Sequence, residues 1–286
     1  MDYLVNFPKF LRFEISDPID AAVEWLLLNL DGFFDAISNF ILFIFNGIET
    51  GLHFIPWWII IGGMFYIGWK LYNLKTAIVL TSMLFAIGLF GLWDMMLYTL
   101  VIVIIAVLVS TIIGLPTGIL MAKVPVMKKI MMPILDAMQT MPSFVYLLPA
   151  IMFFGLGKVP AIIATTTYAI PPLIRLTYLG ISNVDYEVIE AGLSFGSTAK
   201  QMLLKIEFPQ ALPSIMTGIN QTTMMAMSMV VISSMIGAKG IGGEVLVSIR
   251  RLEVGQGFQA GLGIVFLAIL LDRTLQGAAN RLKERS

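Results

Sequence analysis

The sequence has no cysteine and a single histidine. Without thiols there is no disulfide frame, thiolate zinc site or iron–sulfur cluster. His53, set in Gly51-Leu52-His53-Phe54, reads as an interfacial or packing residue rather than a ligand. Charge is scarce too: Asp, Glu, Lys and Arg make up 13% of the 286 residues, hydrophobic residues 58%, and the formal net charge is zero. A soluble domain carries about 25% charged residues. So few charges cannot cover a water-facing surface, and with a mean hydropathy of +0.90 the missing solvent is lipid. The balanced charge argues against a nucleic-acid partner. There is no Gly-x-x-x-x-Gly-Lys-Ser/Thr loop; Gly237-Ala238-Lys239-Gly240-Ile241-Gly242-Gly243 lacks both the spacing and the following hydroxyl. No cluster of His, Cys or paired acids falls inside an apolar run. The sequence therefore offers no catalytic residue, no metal ligands and no cofactor bound by this chain, and it does not read as an enzyme. The first twenty residues hold Asp2, Lys9, Arg12, Glu14, Asp17 and Asp20 where an apolar h-region would stand, so no cleavable signal peptide is expected.

What the sequence does have is apolar length. A bilayer core takes about 20 apolar residues as helix, and seven runs qualify: 55–69, 76–93, 95–122, 142–156, 159–180, 213–236 and 258–276. The fourth is short, and Pro142 and Pro149 predict a broken or tilted helix. With seven spans, Lys70 and Lys75, then Lys123, Lys128 and Lys129, then Lys200 and Lys205, then Arg281, Lys283 and Arg285 fall on one side, which the positive-inside rule makes cytoplasmic. Arg250 and Arg251 break that rule. Residues 1–54 carry eight acids and two bases, a net of −6, as suits an extracytoplasmic tail. Within it Asp31, Asp35, Ser38, Asn39, Asn46 and Glu49 recur at helical spacing opposite Phe33, Phe34, Ile37, Ile41, Phe43, Ile44 and Ile48. That pattern favours a helix lying in the interface, with a poorly inserted eighth span as the alternative. The expected organisation is an all-α polytopic membrane protein. It has an N-terminal tail (1–54), two peripheral spans (55–94), a core (95–276) and a C-terminal tail (277–286).

One loop on the lysine-rich side is long enough to have structure of its own. In Ser182-Asn183-Val184-Asp185-Tyr186-Glu187-Val188-Ile189-Glu190-Ala191-Gly192-Leu193-Ser194-Phe195-Gly196, the Ser182/Asp185 pair reads as a capping box and Gly196 as the left-handed terminator. Thr198 with Gln201 reads as a second capping box, and Pro209 as the stop of that second helix. The prediction is a helix, a glycine turn and a helix over 182–213, outside the membrane.

Glu190-Ala191-Gly192, Gly196 and Phe208-Pro209 with Leu212-Pro213 resemble the EAA loop of ABC importer permeases, over a core of roughly 95–275. Gly192 departs from the usual second alanine, a small-for-small change. The match narrows to permeases for glycine betaine, proline betaine, carnitine and choline in Gln139-Thr140-Met141-Pro142-Ser143-Phe144-Val145-Tyr146-Leu147-Leu148-Pro149. The same family is matched by Tyr168-Ala169-Ile170-Pro171-Pro172-Leu173-Ile174-Arg175 and by Met235–Gly243. The resemblance implies a type I permease in the bacterial cytoplasmic membrane, serving osmoprotection; the charge pattern puts the N-terminus outside and the C-terminus inside. Its implied partners are a second permease, two ATP-binding subunits that use ATP-Mg, and an extracytoplasmic binding protein. The ten or so residues past the last run lead to the expectation that no binding domain is fused to the chain. The resemblance makes 182–213 the coupling loop, with Glu190 in a polar contact and Gly192 and Gly196 permitting close approach and the turn. A solvated helix charge is the plainer reading of Glu190.

For the solute path, Asn220, Gln221, Thr222, Met224, Met225 and Ser228 in the sixth run are the candidates. Amides and hydroxyls in a membrane helix face water or bond a neighbour, and polarizable thioethers suit a methylated cation. Helix packing explains the same residues. Gly237, Gly240, Gly242 and Gly243 are candidates for an outer gate, or a flexible glycine-rich loop. A related permease for methionine is the rival within the class. An ion-coupled secondary carrier is the rival outside it, but apart from Asp94, Arg175, Asp272 and Arg273, read as lying near a boundary, the runs are almost free of the intramembrane charges such a carrier needs.

Overall fold

The computed structural model describes residues 16–283. The first fifteen residues of the acidic tail and the last three of the C-terminal tail, Arg285 among them, lie outside the described residues. Every regular element among the described residues is helical.

Helix α1 (Ser16–Phe54) has one non-helical residue, Leu30. Pro56 separates it from α2 (Trp57–Leu71), which pairs with α3 (Leu74–Leu89). The hairpin closes where the Asn73 side chain accepts from the Thr76 N–H and where Gly68 lets Ala77 approach: a Cβ on Gly68 would stand 2.9 Å from the Ala77 Cα. Helix α4 (Trp93–Lys123) follows, then α5 (Pro125–Thr140). A 3-10 turn (Ser143–Tyr146) and α6 (Leu147–Phe154) come next, bent by 112° from α5. Helices α7 (Lys158–Ala169) and α8 (Pro171–Ser182) make one long segment, followed by α9 (Tyr186–Ser194) and α10 (Ala199–Met202). A π turn (Leu203–Glu207) feeds α11 (Phe208–Ser233), and α12 (Ile241–Arg251) and α13 (Val254–Lys283) complete the chain.

Five segments are long and apolar enough to cross a membrane, 16–54, 93–123, 158–182, 199–236 and 254–281, and six if α5 and α6 are one broken span. The 112° bend falls at Met141–Pro142, where the proline-bearing fourth run begins, and Pro149 lies inside α6 without interrupting it. Helix α5 stood outside all seven predicted runs, and the first two runs became α2 and α3, of 15 and 16 residues. Those lengths fall short of the about 20 residues of a full crossing.

Helix α8 is the centre of the bundle because small residues let its neighbours reach it. A Cβ on Gly118 of α4 would sit 2.6 Å from the Thr177 Cβ, and one on Gly180 of α8 would sit 2.8 Å from the Ser214 Cβ of α11. Lipid offers no hydrophobic drive between helices, so close packing of small residues carries the association. Arg175 of α8, a charge within a span, is paired with Asp136 of α5.

The contacts also sort the two ends of the bundle. Tyr72 in the α2–α3 turn donates to the Arg273 carbonyl of α13 at 2.9 Å, and Lys123 at the end of α4 pairs with Glu207. Lys70, Lys75, Lys123, Lys128, Lys129, Lys200, Lys205 and Arg281 therefore share one end, as the loop charges predicted. At the opposite end Gly157 donates to the Ile236 carbonyl (2.9 Å), and the Ile241 N–H to the Thr99 hydroxyl (3.0 Å). The aromatic and polar contacts of α1 with the core fall at this second end. Phe34 meets Phe153 and Phe154, Phe45 meets Tyr98, Lys158 donates to Asn46, and His53 lies near Asp94. That is the contact pattern of a helix laid across one end of the bundle.

Candidate functional site

The 182–213 loop folds as helix, turn and helix, but its boundaries differ from the sequence reading in two places. Ser182 is the last residue of α8, and Asp185 alone caps α9, its carboxylate accepting from the Glu187 N–H at 3.0 Å. Asp accepts as well as Ser at this position, and Ser182 was already inside a helix. Gly196 ends the hairpin's first arm at φ 76°, where a side chain would be strained. The Thr198/Gln201 capping box is present in both directions. Pro209, however, stops nothing. It lies in the first turn of α11, directly after the π turn and inside one continuous helical segment, so its missing N–H falls where the regular i→i−4 ladder is already interrupted. The π turn at Leu203–Glu207 carries the chain from α10 into α11 without a break.

The hairpin is held shut by Gly192. A Cβ there would stand 2.6 Å from the Ile206 Cδ1 and 2.8 Å from the Met202 Cε. The loop is thus a braced unit. Glu190 and Ala191 are exposed, as are Tyr186, Leu193 and Phe195, the last at 90%. Three large exposed side chains on one loop form a patch of the kind that partners cover. Phe208, Leu212 and Pro213 are partly buried where α11 begins, and Pro209 is exposed.

Sequence reading missed the tie between this loop and the spans. Glu207, 3% exposed, accepts from the Lys123 ammonium, with 2.6 Å to its Oε1. The loop is therefore tied to the end of α4 as well as continuous with α11. The signal was an acid between Ile206 and Phe208 and a lysine closing the third apolar run, 84 residues apart.

Helix α11 has two unlike faces. Gly218, Thr222, Thr223, Ala226, Met227, Met229 and Val230 are buried in the bundle. Thr217, Gln221, Met224 and Ser228 are exposed along one stripe, continued by exposed Met235 in the 3-10 turn (Ser234–Ile236) that follows. Of the path candidates, Gln221, Met224 and Ser228 line this open stripe, Met225 flanks it, and Thr222 is on the packed side. Asn220 donates to Asp272 of α13 at 2.8 Å, which also accepts from Gln276, so its amide nitrogen bonds a neighbouring helix. A glutamine, a serine and two methionines on the open face of a central span suit water or a second protein surface better than hydrocarbon.

The four gate candidates share one segment, and two of them are tightly packed. A Cβ on Gly240, at φ 123°, would be 2.5 Å from the Thr99 hydroxyl, and one on Gly242 would be 2.7 Å from the Ser234 hydroxyl. Gly237 is exposed, and Gly243 stands 3.7 Å from the Ala238 carbonyl by the same measure. The segment bridges α4, α11 and α12 rather than waving free. Among the described residues no group of three or more His, Asp or Glu is arranged to hold a metal.

Comparison with known proteins follows the same lines. Residues 114–283 match the family described as binding-protein-dependent transport system inner membrane component. The chain is 43% identical over 274 residues to the glycine betaine transport system permease protein OpuAB of Bacillus subtilis, covering 96% of this chain and 97% of that one. It is 40% identical over 289 residues to the glycine betaine/proline betaine transport system permease protein ProW of Escherichia coli, covering 97% and 82%. Among solved structures, an inward-facing form of the MetNI methionine ABC transporter superposes with a TM-score of 0.58 at 21% identity, over 68% of this chain and 96% of that chain. That likeness is one of fold.

Proposed function

The chain belongs to the family of binding-protein-dependent transport system inner membrane components, and from that we propose that it is the permease subunit of an importer for quaternary-ammonium compatible solutes. Glycine betaine and proline betaine head that class, with carnitine and choline beside them. The observation that carries the substrate class is the near full-length similarity to betaine permeases. A methionine permease is favoured only by fold, and an ion-coupled carrier by nothing in the chain. The subunit does not itself hydrolyse ATP. In this reading two copies pair, two ATP-binding subunits seat the 182–213 loops at the basic, cytoplasmic end, and an extracytoplasmic binding protein docks at the other.

The work is then divided by place. Closure of the ATP-binding subunits presses α9, whose exposed Tyr186, Leu193 and Phe195 meet them beside Glu190. Gly192 passes the displacement to the second arm of the hairpin, and Glu207–Lys123 and the π turn pass it to α4 and α11. Movement of α11 opens or closes the stripe from Thr217 to Met235 toward either side. Methionines and hydroxyls there hold a methylated cation weakly enough to release it. The packed Gly240–Gly242 segment seals the far end. Uptake of radiolabelled glycine betaine into proteoliposomes holding this chain with its ATP-binding subunit and binding protein tests the proposal. Uptake should require ATP; uptake of methionine in its place would discard the substrate class.

A further inference from the structure

Away from both the loop and the α11 stripe, the molecule holds a cavity of about 530 Å³. It lies where the end of α1, the start of α2, the end of α3 and the start of α4 come together, at the end opposite the coupling loop. Three aromatic side chains line it, Trp57, Phe85 and Trp93, together with His53, Asp94 and aliphatic residues. The Asp94 side chain is 85% exposed, and the group facing it is the His53 imidazole, with Nδ1 at 3.9 Å. No step of the transport reading uses any of these residues.

The lining selects by chemistry. A carboxylate beside aromatic rings attracts a cation that carries alkyl groups, because the ring faces and the acid both favour positive charge. An anionic headgroup would meet repulsion from Asp94. The apolar remainder of the wall calls for a tail. The rim carries exposed Phe54, Trp58 and Leu89 at 88%, 60% and 71%. Such a rim is at home among acyl chains and headgroups, where tryptophan concentrates. We propose that this cavity binds the headgroup of an alkylammonium-headed membrane lipid, its ammonium at Asp94 with Trp57 and Trp93 and its glyceride stem over Phe85. A soluble quaternary-ammonium solute offers the same cation without the tail, and the experiment separates the two.

The chain with its partner subunits is placed in nanodiscs of phosphatidylglycerol containing a minority of phosphatidylethanolamine, and native mass spectrometry counts the lipids retained. Wild type should retain phosphatidylethanolamine over its mole fraction by at least about fivefold, the scale of one good cation–π and charge contact. Asp94→Asn and Trp93→Leu should each lose that preference, and saturating glycine betaine should not displace the lipid. Equal retention of the two lipids by wild type, or a preference unchanged in both variants, overturns the proposal. Displacement by glycine betaine also overturns it and assigns the cavity to the solute. Transport can fail or succeed independently of each of these results.

Discussion

At the residue scale, the pair Lys123–Glu207 carries the most consequence. Glu207 is buried and Lys123 only partly so, so losing the lysine strands a carboxylate, a change that costs about 3–5 kcal/mol. Lys123→Met should therefore lower the yield of folded protein sharply, and Lys123→Met with Glu207→Gln should recover much of it. Size-exclusion recovery and thermal midpoints of the single and double variants measure this. Equal loss in both would mean the pair is no strut. Gly240→Ala should also destabilise, since it meets Thr99 and a positive φ together, by about 1–3 kcal/mol in a midpoint shift. Local chemistry was legible at Thr198, Gln201 and Gly196, where the partner lies within a few residues. It misled at Pro209, because a proline that ends one helix and one that opens the next look alike without knowing what precedes them. It was silent on Glu207, whose partner is distant in sequence.

At the element scale, α11 is a helix with a packed face and an open face, and the absence of native cysteine makes that testable without background. Single cysteines at positions 217, 221, 224 and 228 should react with a membrane-impermeant thiol reagent at least about tenfold faster than those at 222, 226 and 229, a burial difference of this order being worth about 1.4 kcal/mol. Uniform protection along the helix would give the stripe to lipid or packing. Gly118→Val should disrupt the α4–α8 seam, because its first added atom already stands 2.6 Å from Thr177; loss of monodisperse protein is the expected readout. The sequence showed α4, α11 and α13 as long apolar runs; the ends of α4 came within two residues of the structure, whereas α11 begins five residues before its run and α13 extends four residues before and seven beyond its own. It hid α5, since Lys128, Lys129, Pro133, Asp136 and Gln139 break any apolar run. Asp136, on the exposed side of that helix, is paired with Arg175, 39 residues away in sequence. Helices α2 and α3 were read as full spans; each runs from one end of the bundle to the other, with 15 and 16 residues, fewer than the about 20 of a full crossing.

At the scale of the whole molecule, the bundle has a basic end that presents a braced loop and a second end where Gly240 and Gly242 pack tightly against α4 and α11, with a polar stripe on α11 between them. Charge in the loops told the two ends apart in the sequence, and tertiary contacts bring the same lysines together. If the loop transmits work done elsewhere, jamming it should separate ATP hydrolysis from uptake. ATP hydrolysis and glycine betaine uptake are measured in the same proteoliposomes for wild type and for Gly192→Leu, whose side chain cannot share space with Ile206 and Met202. Hydrolysis should persist while ATP-dependent uptake falls by at least about tenfold, as expected for overpacking of about 1–3 kcal/mol at a coupling contact. Uptake that stays at the wild-type level, or that runs on an ion gradient without ATP, would contradict the account.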